Sequence, residues 1–131
     1  MLRHIRSEGG DKMFVNVSNH PSELWLDKQK ECALCYGDIV DVAFPAIHKD
    51  YDSNKYDELV ELYYERIMGL YPDVVMVQGE FVFTYRLVCK LKVSGVRVVS
   101  APSERICQEF KDENNVIHKH SLFEFIDFVD Y

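Results

Sequence analysis

The chain has no run approaching the ~20 apolar residues that a membrane-spanning helix needs, and its first residues lack the apolar centre of a secretory signal. Neither a membrane span nor export is expected, which leaves a cytoplasmic protein. The Gly-x-Gly-x-x-Gly and Gly-x-x-x-x-Gly-Lys-Ser/Thr patterns are also missing, so neither a dinucleotide site nor a P-loop has a motif behind it. Positive charge is in short supply: 15 Lys and Arg against 22 Asp and Glu leave a formal net charge of -7. That argues against broad coating of a nucleic-acid backbone, and so against a long nucleic-acid partner, but allows a small anion held in one local pocket. Cysteines are few. Cys32 and Cys35 form a Cys-x-x-Cys inside an expected helix with no second pair, and with Cys89 and Cys107 they are expected as reduced thiols ahead of redox or metal chemistry.

What is present suits one globular domain. The 131 residues are 47% apolar and 28% charged, enough to bury a core. Residues 1–12, with Gly9-Gly10, read as a flexible lead-in, and 13–131 as a single domain. Met13-Phe14-Val15-Asn16-Val17 is a first strand, ended by the polar turn Ser18-Asn19-His20-Pro21-Ser22, whose Ser22 can cap a helix from about Glu23 to Tyr36. Trp25, Cys32, Ala33 and Tyr36 share one face of that helix. A second strand over 39–44 stops at Pro45, and a helix follows from about Lys55 to Met68 with Tyr56, Leu59, Val60, Tyr63 and Ile67 inward. Residues 73–78 form a buried strand that turns at Gly79 into a helix over 81–91. Val96 to Ser100 is a fourth strand, placed near a sheet edge or with a snorkelling side chain by its Arg97. A turn at 111–115 joins two extended runs into a hairpin, and Leu122 to Val129 is a last strand against the sheet. The alternation predicts an α/β fold, a mostly parallel sheet covered by helices with right-handed crossovers, a C-terminal β-hairpin and a final strand.

Ligands of such folds bind where the turns after the strands gather. Four turns are expected there: Ser18-Asn19-His20, Phe44 to His48, Gln78-Gly79-Glu80 and Ser100 to Arg105. Gly79 permits a tight strand-to-helix turn, so the next amides can receive an anion, while Glu80 can instead stabilise the helix start itself. His20 titrates near neutrality and can act as general acid or base, with Ser18 or Asn19 donating to a charged oxygen; packing or capping is its other role. Arg105 with Ser100 and Ser103 can clamp a phosphate through two guanidinium donors, or Arg105 can pair with Glu104 or Glu109. His118 and His120 share a strand face, but no nearby cysteine completes a metal spacing, and neither metal nor cofactor is expected. The tyrosines of the helices can stack on bases but suit packing equally, and the aromatic tail from Phe123 to Tyr131 suits a subunit interface.

Phe14 to Pro21, Val77 to Tyr85, and Ser100 to Arg105 ahead of a Phe-rich C-terminal strand resemble the small CRISPR-associated accessory proteins of type III systems. These are relatives of ring nucleases with the CRISPR-associated Rossmann fold, and the similarity spans nearly the whole chain after Lys12. It implies a compact Rossmann-like domain, a homodimer, and binding or degradation of a cyclic oligoadenylate second messenger in antiviral defence. Cleavage in that group needs no metal: a ribose 2'-hydroxyl attacks the adjacent phosphodiester and leaves a 2',3'-cyclic phosphate. Carried onto this chain, Ser18, Asn19 and His20 approach the scissile phosphate, Gln78, Gly79 and Glu80 hold backbone or base, and Ser103 with Arg105 clamps phosphate. The competing expectations are a sensor or sponge that binds the nucleotide without turnover, and a protein-interaction subunit that uses its acidic helix and aromatic tail.

Overall fold

The computed structural model describes residues 11–131, and of residues 104–108 and 120–123 the backbone alone. The expected lead-in therefore lies outside the described residues except for Asp11 and Lys12. Strand β1 (Met13–Ser18) is buried along its whole length, because it is the middle of a sheet covered on both faces. Its neighbours are β2 (Asp38–Ala43) and β3 (Val74–Gln78), both parallel to it, and β4 (Arg97–Ser100) runs parallel beside β3. The strand order β2-β1-β3-β4 is closed by a two-residue antiparallel strand, β7 (Val129–Asp130). The fold is thus α/β with a mostly parallel five-stranded sheet.

The period-2 alternation along the strands sorts the core into two layers. Met13, Val15, Val17, Val75, Val77 and Val98 point to one face, where α2 (Ser53–Met68) and α3 (Phe81–Val93) cover them with Val60, Tyr63, Ile67, Phe83, Leu87 and Leu91. Phe14, Val74, Met76 and Val99 point to the other face, against Trp25, Ala33, Phe125 and Phe128. The chain moves from β1 to β2 in one direction and past β1 to β3 and β4 in the other. Crossovers of one hand must then change face, which puts α1 (Asp27–Leu34) opposite α2 and α3. Helix α2 starts at its Asp52 cap, whose carboxylate accepts the Lys55 amide at 2.9 Å. Helix α3 stops at Gly95, which takes φ +84°.

Two expected elements differ. The single helix over 23–36 is a 3₁₀ turn (Ser22–Leu24), two extended residues, Trp25 and Leu26, and then α1. Its indole explains the break: the Trp25 ring packs edge-on to Phe14, 6.3 Å between centroids, while its N–H donates to the His20 carbonyl. Ser22 caps nothing; its amide and hydroxyl both donate to Asp41. The long last strand is likewise divided. Phe125 and Phe128 are both buried in one cluster, and residues three apart cannot share a face of one strand. The chain therefore leaves extended pairing after Phe125 and rejoins the sheet only at β7. The hairpin about the 111–115 turn is present but longer than expected: β5 (Ser103–Lys111) is antiparallel to β6 (Ile117–Phe125), which takes in residues 122–125 that were expected to begin the last strand against the sheet. Arg97 does lie by the edge, exposed and paired with Asp130 at 2.7 Å. Among the described residues no helix is long and apolar enough to cross a membrane.

Phe14 touches Trp25, Tyr36 and Phe128 and has no exposed surface. Phe14→Ala should cost about 3–5 kcal/mol in urea unfolding. Leu62→Ala, at an exposed site of α2, should stay within about 0.5 kcal/mol of wild type.

Candidate functional site

The turn after β1 is held by one buried amide. Asn16 lies in the middle of the strand with 1% of its surface exposed, so both polar ends of its side chain need partners. Its Nδ2 donates to the His20 carbonyl and to Asp41 Oδ1, each at 3.0 Å, and its Oδ1 accepts from Ser18 Oγ at 2.7 Å. Ser18 Oγ accepts the His20 amide at 3.1 Å. A hydroxyl has one hydrogen, and the shorter contact assigns it to Asn16 rather than to the His20 carbonyl at 3.2 Å. The carbonyl is served instead by Asn16 and by the Trp25 indole at 3.0 Å. The turn is therefore pinned from β1, β2 and the start of the α1 connection. Asn19 and His20 are left at its exposed surface.

Three of the four expected turns meet at a cleft of about 480 Å³ on the α1 side of the sheet. Ser18 and His20 line it from the end of β1, Met76 and Gln78 from the end of β3, and Ala101 and Ser103 from the segment after β4. Leu24, Trp25, Leu26 and Gln29 form one wall, and Phe125 closes the opposite one. The strand order reverses between β1 and β3, and a crevice outside the carboxyl ends at that point is where open α/β sheets bind ligands. Gln78 is oriented by the Ala101 amide, which donates to its Oε1 at 2.8 Å. Its Nε2 and the His20 imidazole have no hydrogen-bond partner among the described residues. No Lys, Arg, Asp or Glu lines the cleft among the described residues.

Other expected site residues lie elsewhere. The amino end of α3, read as an anion site, holds the chain's own carboxylate: Glu80 Oε1 accepts the Phe83 amide at 2.8 Å, and Oε2 accepts the Tyr56 hydroxyl at 3.0 Å. Burial, and then this bond to Glu80, pushes the Tyr56 phenol above its ordinary range. Gly79 serves packing, since a Cβ there would sit 2.3 Å from the Phe44 ring. Phe44 in turn packs on Phe83, 5.1 Å between centroids, so the turn after β2 goes to the opposite face from the cleft. Asn19 lines a separate recess of about 280 Å³ with Asn16 and Asp41. Ser100 pairs with Val129 in the sheet and does not line the cleft. Arg105 is on β5, two residues beyond Ser103, and its side chain lies outside the described residues, as does that of His120. His118 is bonded to Asp112 at 2.8 Å and stacked on Phe110. Cys32 and Cys35 are free thiols, with Cys32 Sγ donating to Asp127.

The sequence reasoning missed Trp25, Gln29, Met76 and Phe125 as cleft residues, and Asn16 and Asp41 as its supports. For Asn16 a signal existed: an Asn inside an otherwise apolar strand needs a buried partner.

The chain belongs to the "Uncharacterized protein MJ1673 family", whose family model matches residues 12–129. No curated protein matches it.

Glu80→Ala should cost about 1 kcal/mol through loss of the α3 cap, measured by thermal unfolding. It should also let Tyr56 ionise at lower pH, read as an earlier rise in ultraviolet phenolate absorbance. Gly79→Ala should cost about 1–3 kcal/mol, because Phe44 must leave its seat on Phe83.

Proposed function

We propose that the cleft at the carboxyl ends of β1 and β3 binds a small nucleotide, and that the ligand is the cyclic oligoadenylate implied by the chain's resemblance to ring-nuclease relatives. One observation carries this reading: three strand-end turns converge on an apolar crevice at the point where the sheet order reverses. The volume, about 480 Å³, lies within the range of small-molecule sites and accommodates one nucleotide unit of such a ring. Leu24, Leu26, Met76 and Phe125 offer apolar surface to a base, while the Gln78 amide and the Ser103 hydroxyl offer donors and acceptors to its edge or to a ribose.

Binding without turnover is the form of this function that the geometry supports best. Phosphodiester cleavage builds negative charge on phosphate oxygens, and stabilising it calls for cations or preorganised donors. The described lining has no Lys or Arg side chain. Ser18, expected to donate to such an oxygen, has its one hydrogen committed to Asn16. A second reading, metal-independent ring opening, rests on His20, whose imidazole lines the cleft with no hydrogen-bond partner among the described residues and can transfer a proton.

Calorimetric titration with cyclic tetra-adenylate in EDTA should give saturable binding, with the ring intact under single-turnover conditions. Leu26→Glu, at an exposed position of the cleft wall, should abolish binding without unfolding the chain. No binding by the wild type sinks the proposal. Ring opening, slowed ~10²-fold or more by His20→Ala, establishes the second reading instead.

A further inference from the structure

A second recess, of about 490 Å³, runs along α3 on the side of the sheet away from the cleft and meets the cleft at Gln78. Helix α3 lines it with residues three and four apart from Phe81 to Lys92, and Tyr131 completes the lining. The Tyr131 wall is preset, because its amide donates to the Val98 carbonyl at 3.0 Å and its hydroxyl to the Val77 carbonyl at 2.6 Å. Two features point to a ligand. One is apolar surface left in water: Phe81 is 88% exposed and Tyr85 71%, neighbours one helical turn apart. The other is a hydroxyl. Thr84 is only 8% exposed, yet its Oγ1 is buried with no hydrogen-bond partner among the described residues. A threonine inside a helix commonly returns its hydroxyl to the carbonyl one turn back. Here the Glu80 carbonyl takes the Thr84 amide at 3.0 Å, and the hydroxyl is left over. A buried hydroxyl without a partner is a cost that a ligand's acceptor removes.

The lining also sets the chemistry of the occupant. Among the described residues no Asp or Glu lines the recess, and the ammonium of Lys92 is already bonded to the main-chain oxygen of Tyr131 at 2.7 Å. What remains is mostly ring and alkyl surface around one hydroxyl. We propose that the recess binds an uncharged, planar aromatic molecule carrying a carbonyl or ring-nitrogen acceptor, its ring packed on Phe81, Tyr85 and Tyr131 and its acceptor on the Thr84 hydroxyl. The volume lies within the range of small-molecule sites. Threonine keeps two side-chain rotamers in a helix, so a turn about Cα–Cβ brings the hydroxyl to the acceptor. Val88, 6% exposed, gives the ring an apolar floor, and Cys89 places an exposed thiol in the same wall. This site does not depend on what the cleft binds.

The test uses prodan, an uncharged naphthyl ketone whose emission moves to the blue in apolar surroundings, with the full chain. Titration should give a saturable blue shift. Bound prodan should slow alkylation of Cys89 by iodoacetamide and leave that of the exposed Cys35 unchanged, read peptide by peptide in a mass spectrometer. Thr84→Val keeps the side-chain shape and removes the hydroxyl; it should bind prodan roughly tenfold more weakly while melting no lower than the wild type. A purely structural Thr84 would move the melting midpoint and leave the affinity alone. The proposal is overturned by a wild type that gives no saturable shift, by binding that leaves Cys89 alkylation unchanged, or by a Thr84→Val chain that binds as tightly as the wild type.

Discussion

Asn16 brings an amide into a strand covered on both faces, and an unpaired buried amide costs about 1–3 kcal/mol, a large share of a small domain's stability. That constraint organises the end of the sheet where the cleft lies. To satisfy the amide, the chain after Ser18 curls back so that the His20 carbonyl faces Asn16, and Asp41 of the neighbouring strand turns towards the same group. Asp41 then holds Ser22, and the indole of Trp25 closes on the carbonyl. One polar side chain thus joins β1, β2 and the connection to α1. The His20 imidazole is left on the outer side of the turn because the backbone of His20 is used inside it.

The two faces of the sheet end differently for a reason of coverage. On one side two full helices pack over the strands, and the turns there are partly filled: Phe44 takes the space that Gly79 leaves and Glu80 occupies the amino end of α3, while Gln78 and Gly79 also border a recess of about 490 Å³ along α3. On the other side the cover is the eight-residue α1 together with Phe125 and Phe128 from the chain's last segment. These two pieces do not meet at the carboxyl ends of β1 and β3, and the cleft is the gap between them. Its walls are mostly apolar because both pieces reach it with core residues. Its polar groups are those that strand-end turns present, Gln78, Ser103 and His20.

Much of this was legible in the chain. The valine-rich strands, the heptad-like face of α2 and the hairpin around residues 111–115 each carry a periodicity that survives in the fold. The errors came where a side chain's partner lies far off in sequence. Trp25 breaks the expected helix because its ring and its N–H find partners at Phe14 and His20. Phe125 and Phe128 break the expected strand because one aromatic cluster takes both. Gly79 looked like a ligand-approach glycine and is a packing glycine, a distinction that depends on Phe44, 35 positions earlier in the chain.

Local pattern was therefore enough to determine the class of fold, the order of its elements and the end of the sheet where turns collect, since each follows from apolar spacing and from turn residues read within a few positions. Which turns share a cleft, which carboxylate is already spent on a helix end, and which polar group is committed to holding another were decided by the tertiary structure alone. Those outcomes depend on hydrogen bonds and ring contacts between residues tens of positions apart. No spacing rule carries that information, because the partner is chosen by the packing of the whole sheet.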